Sequence, residues 1–142
     1  MDKKDVIISL KGTQTDGTSD KEIIELVTAG SYYKKGDNYY VTYDETELTG
    51  MEGTTTTLKI EGKKITMLRF GENNTQLIFE KGQRHLCCYE TQYGAFTIGV
   101  HSNQVNVNIT DSGGEISAEY QIEIDNTAAG KNDFYMQIRE CQ

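Results

Sequence analysis

Arg69 and the acidic, aromatic run Tyr43-Asp44-Glu45-Thr46-Glu47 carry the side chains in this sequence best suited to binding chemistry. Arg69 lies in a strand-like segment where alternation puts it on one face with Ile65 and Met67, and Thr66, Leu68 and Phe70 on the other. Both faces are apolar, so the pattern leaves its direction open. An inward guanidinium needs a partner, since an unpaired buried charge costs about 3–5 kcal/mol. Glu45, Glu47, Tyr43 and Tyr89 are the candidates. Together they form an expected ligand-binding set in which Arg69 would meet an anionic or carboxylate group. The competing expectations are a structural ion pair near a barrel mouth and a plain surface charge.

Other constellations promise less. Asp44, Glu45, Glu47 and Glu52 are hard oxygen donors, but they lack the spacing of a calcium loop and have no histidine near them. A solvated turn that blunts a strand edge is their expected role. Two of these carboxyls could act as acid and base, yet nothing in the sequence aims two at a common cleft. His85 and Cys87 face the same way on one strand, about 6.6 Å apart along it. That is too far for direct proton transfer, and no third orienting group is evident. His101 is the other histidine, too little for an ordinary zinc site. The expectation is therefore no catalytic set, no metal and no cofactor, with enzymatic activity left uncertain. Nine tyrosines remain, whose rings could either line a cavity or fill a core through cross-strand pairs.

The elements that must position these residues are strands. From Glu115 to Asp125 the chain reads EISAEYQIEID, with Ile116, Ala118, Tyr120, Ile122 and Ile124 on one face and polar residues on the other. The same rule marks strands near 5–11, 21–29, 31–35, 39–44, 55–61, 64–70, 75–81, 84–91, 95–101, 104–110, 115–125 and 132–140. The breaks near 30 and 102 also fit bends within longer strands. Asp20 could cap a helix over 20–28, but the segment is short and runs into Tyr32-Tyr33, which favours a strand. Glycine-bearing turns such as Glu61-Gly62-Lys63 and Lys35-Gly36-Asp37-Asn38 make neighbouring strands antiparallel. Strands with one apolar face, joined by short links, predict an all-β, up-and-down antiparallel barrel of about eight to ten strands.

The chain of 142 residues fits one domain spanning 1–142, with enough length for a core of its own. A net charge of −8 argues against nucleic acid and against anionic membrane surfaces as partners. The apolar run near the N-terminus is too short for a signal-peptide core or a membrane span, so a cytoplasmic location is expected. Three cysteines suit reduced thiols, with one of the adjacent pair Cys87 and Cys88 facing the core.

Several motifs also carry a family resemblance. They are Gly30-x-Tyr32-Tyr33, Tyr39-x-Val41-x-Tyr43-x-Glu45, Leu48-Thr49-Gly50, the strand at Thr57 and Leu58, and Ile65 through Arg69-x-Gly71. Downstream come Leu77-x-Phe79-x-x-Gly82, Tyr89-x-Thr91, Tyr93-Gly94 and the alternating strand around Tyr120. In this order the chain resembles the YwiB-like proteins, small bacterial proteins classed as a domain of unknown function. Gln92 departs from the pattern, where proline is expected. The resemblance implies a calycin-like barrel of the general lipocalin architecture, and no reaction, substrate or catalytic residue. The expected function is non-catalytic binding of a small, partly apolar or anionic ligand. The alternative is a filled structural barrel acting through its acidic surface as a protein-interaction or homodimeric module, and the chain is expected to be a monomer or a homodimer.

Overall fold

A computed structural model of the chain describes residues 2–15, 21–46, 52–71, 74–91, 93–124 and 127–141. Ten strands make up nearly all of it: β1 (Lys4–Thr15), β2 (Lys21–Lys35), β3 (Asn38–Asp44), β4 (Thr54–Glu61), β5 (Lys64–Gly71), β6 (Asn74–Phe79), β7 (Arg84–Thr91), β8 (Gly94–Thr110), β9 (Gly113–Ile124) and β10 (Thr127–Glu140). Each pairs antiparallel with its neighbours in sequence, and β10 returns to β1 to close the barrel. Closure gives every strand two neighbours, the outcome that short links and one apolar face per strand demand, although among the described residues β6 and β7 pair only at Asn74–Glu90 and Thr75–Tyr89. Among the described residues, no helix is long and apolar enough to cross a membrane.

Two pairs of expected strands are single elements. β2 runs through residue 30 because Gly30 takes an inward position with no side chain. A Cβ there would stand 2.5 Å from Ile8 Cδ1 and 2.6 Å from the Thr42 carbonyl oxygen. β8 runs through a register shift between Ser102 and Gln104, where a bulge bends the strand without ending it. The segment that could have been a capped helix is strand from Lys21 onward, with Leu26 and Tyr32 inside; Asp20 lies outside the described residues.

Up-and-down topology puts alternate connections at opposite ends of the barrel. One end holds both chain termini and the links after β2, β4, β6 and β8. Here the interior is solid. Tyr32, Phe79, Ile8, Leu58, Ile60 and Ile65 are among its fully buried side chains. Polar bonds clasp this end shut. Lys4 Nζ donates to the Asp111 carbonyl at 2.9 Å and pairs with Glu140, Tyr32 donates to the Thr110 carbonyl at 2.7 Å, and the Tyr39 hydroxyl binds Asp111. The hairpin at Gly62 needs a left-handed residue, with φ at 58°, which glycine adopts without strain.

Candidate functional site

The other end is hollow. A cavity of about 520 Å³ opens where the links after β1, β3, β5, β7 and β9 join the strands. Its floor is apolar, built from Leu10, Met67, Leu77, Ile98, Phe134 and Met136. Phe79, Tyr120 and Phe134 pack in tilted and edge-to-face contacts at the boundary with the packed half, Phe79 and Tyr120 having ring centroids 4.6 Å apart. The apolar wall continues outward to Ile24, which lines the cavity and is 39 % exposed.

Four of the five residues expected to form a site line this one cavity: Tyr43, Glu45, Arg69 and Tyr89. Glu47 lies outside the described residues. Strand parity does the work. Ile65 and Met67 are buried, so Arg69, two residues further along β5, faces the same interior. Parity likewise turns Glu45 inward two residues after Tyr43. The acidic run was expected to be a solvated turn; for Glu45 that is wrong, since it is only 6 % exposed, while Asp44 and Glu52 are exposed.

Glu45 is well provided for. The Thr56 hydroxyl donates to its Oε1 at 2.6 Å, and its backbone N–H bonds the Thr54 carbonyl at 2.9 Å. Thr56 arrives there because β3 and β4 pair Tyr43 with Thr56. The Tyr43 hydroxyl also hydrogen-bonds Glu45. Burial pushes that hydroxyl well above the ordinary tyrosine range, the nearby Glu45 charge adds to the rise, and Arg69 opposes it. Across the cavity, burial pushes Tyr120 up to about 12, with Arg69 opposing and Asp133 adding. Both rings stay protonated at neutral pH and can donate hydrogen bonds.

Arg69 is the odd group. Its charge acts on Tyr43 and Tyr120, yet its Nε is buried with no hydrogen-bond partner, and no carboxylate among the described residues pairs with it. The ion pair that an inward guanidinium was expected to require is not formed with Glu45 or any other described carboxylate, and Glu47 lies outside the described residues. β5 stands five strands from β10 in either direction around the ten-stranded ring, so Arg69 faces β10 across the barrel. Opposite it the lining is polar. Gln14 pairs with both Glu22 and Asn132 in one rung across β2, β1 and β10, and Asp133 follows on β10.

Sequence reasoning missed Tyr120 and this rung as parts of a site. Tyr120 was legible as a core-face residue, and Glu22 shares parity with the inward Leu26, which is the signal that could have found it. The His85–Cys87 pair gains the third group that it lacked in sequence. Glu80 Oε1 lies 3.0 Å from His85 Nε2. The Cys87 thiol, however, points to the His85 backbone carbonyl at 3.8 Å and not to the ring, and burial raises its pKa, so no thiolate is favoured. Cys88 is exposed, as the opposite-face expectation requires. Among the described residues no group of three or more His, Cys, Asp or Glu could hold a metal ion.

Comparison with known proteins bears on the fold. The family described as a domain of unknown function (DUF1934) matches residues 8–136. The solved structure described as the crystal structure of ywiB protein from Bacillus subtilis is similar to this chain, with a TM-score of 0.86 and 18 % identity over 99 % of this chain and 94 % of that one. No curated protein matches the sequence.

Proposed function

The chain belongs to the family described as a domain of unknown function (DUF1934), and for it we propose non-catalytic binding of a small, partly apolar ligand in the hollow half of the barrel. The cavity itself carries the reading. Its volume of about 520 Å³ falls within the roughly 300–1,000 Å³ of small-molecule sites, and its apolar floor with a few convergent polar groups has their usual chemistry. A barrel serving only as a scaffold gains nothing from a void, because unfilled space forfeits packing contacts that larger side chains would supply. The packed half shows that this chain can fill a barrel interior. The protein is then a calycin-like container, with Tyr43, Glu45, Arg69 and Tyr89 on its wall.

Native mass spectrometry of protein purified gently from cells tests this. The expected spectrum carries an added mass that denaturation releases. A bare chain that also fails to bind an apolar fluorophore saturably would remove the ground for the reading.

A further inference from the structure

We propose that the cavity selects an apolar-bodied monocarboxylate, anchored by its carboxylate at Arg69, and rejects dianions. This rests on the ligand-binding reading above and deepens it by naming the ligand's charge.

The first ground is the unsatisfied arginine. A guanidinium carries five donors in a planar fork that matches a carboxylate edge. Arg69 lines the cavity, its buried Nε has no hydrogen-bond partner, and no carboxylate among the described residues pairs with its guanidinium. A ligand oxyanion in the cavity would give the guanidinium the paired counter-charge that the described residues do not, and the neutral Tyr43 and Tyr120 hydroxyls stand near the same charge.

The second ground limits the charge to one. Among the described residues Arg69 is the single cation on the lining; of the carboxyl-bearing residues there Glu45 is buried while Glu22 and Asp133 are exposed, and the chain as a whole is acidic. One negative charge can be balanced at Arg69. A second would meet no cation among the described lining residues and would stand in the same cavity as the buried Glu45, where like charges repel more strongly than in water.

The third ground is the body of the ligand. The floor beyond Arg69 offers Met67, Leu77 and Ile98 but no further cation. At roughly 30 Å³ for each water-sized group, about 520 Å³ admits some seventeen non-hydrogen atoms. An eight-carbon chain with one headgroup fits inside this limit.

Calorimetric titration with octanoate, 1-octanol and octyl phosphate at pH 8 tests the proposal, because a phosphate monoester, with a second pKa near 6, is dianionic there. Octanoate is expected to bind about tenfold or more tighter than octanol, the scale of a charge-assisted hydrogen bond, and octyl phosphate more weakly than octanoate. Arg69→Met should abolish the preference for octanoate while octanol still binds, and Glu45→Gln should lessen the penalty on octyl phosphate. Equal binding of octanoate and octanol overturns the proposal but leaves the container reading intact. So does a carboxylate preference that survives Arg69→Met, or octyl phosphate as the tightest ligand. Failure of all three probes together with an apolar fluorophore would sink both.

Discussion

At the residue scale, burial sets the behaviour of the tyrosines, and it makes a pH dependence that can be measured. Tyr120 is pushed up to about 12, and burial drives Tyr32 and Tyr43 upward as well. A group whose folded pKa lies above its unfolded value adds stability that is complete below the unfolded value, near 10 for tyrosine. That stability is lost as pH rises through the folded value. The fold should therefore hold its full stability to about pH 10 and weaken from there toward pH 12. Tyrosinate absorbance followed beside denaturant unfolding checks this. Tyr32, Tyr43 and Tyr120 should ionise only above the ordinary tyrosine value, with unfolding. Ionisation of these three at about pH 10 with unchanged stability would contradict the assignment. The direction of Arg69 was not legible, because Leu68 and Phe70 make the other face of β5 nearly as apolar as the one with Ile65 and Met67. Burial of Glu45 was legible in principle from its spacing to Tyr43, but acidic composition argued louder than parity.

At the element scale, strand existence was readable and strand ends were not. The reading stopped β1 at residue 11 and began β10 at 132, whereas the strands run to Thr15 and from Thr127. The missing pieces hold Gln14 and lead into Asn132, which put polar side chains on the inner face around the cavity. Alternation of apolar and polar residues fails where a barrel interior is wet, so the pattern fades at the very end that holds the candidate site. Gly30 teaches a related lesson. It looked like a break between strands, yet it lets one long strand pass close to Ile8 and Thr42. Gly30→Ala should cost about 1–3 kcal/mol, the usual toll of overpacking, because a backbone oxygen cannot swing aside as a side chain can. Equilibrium urea unfolding gives the value. No loss of stability would show that β2 and β3 can separate freely at this point.

At the scale of the whole molecule, the two halves of the barrel do different things. The half with the chain termini is filled by large apolar side chains and clasped by Lys4, Asp111 and Glu140. The other half gives up packing for space. Closure and the antiparallel order followed from short links and period-two alternation, which is why the architecture was legible from end to end. Whether a ten-stranded barrel is filled was not, because the same inward positions hold either interlocking or recessed side chains, and only their three-dimensional fit decides. Methyl-resolved NMR during titration with 1-octanol tests the central claim most directly. Met67, Leu77, Ile98 and Ile122 line the cavity and should shift saturably, while Ile60, Ile65 and Val6 in the packed half stay still. An absence of saturable shifts, or shifts confined to the outward Val27 and Leu86, would contradict the account of this barrel as a container.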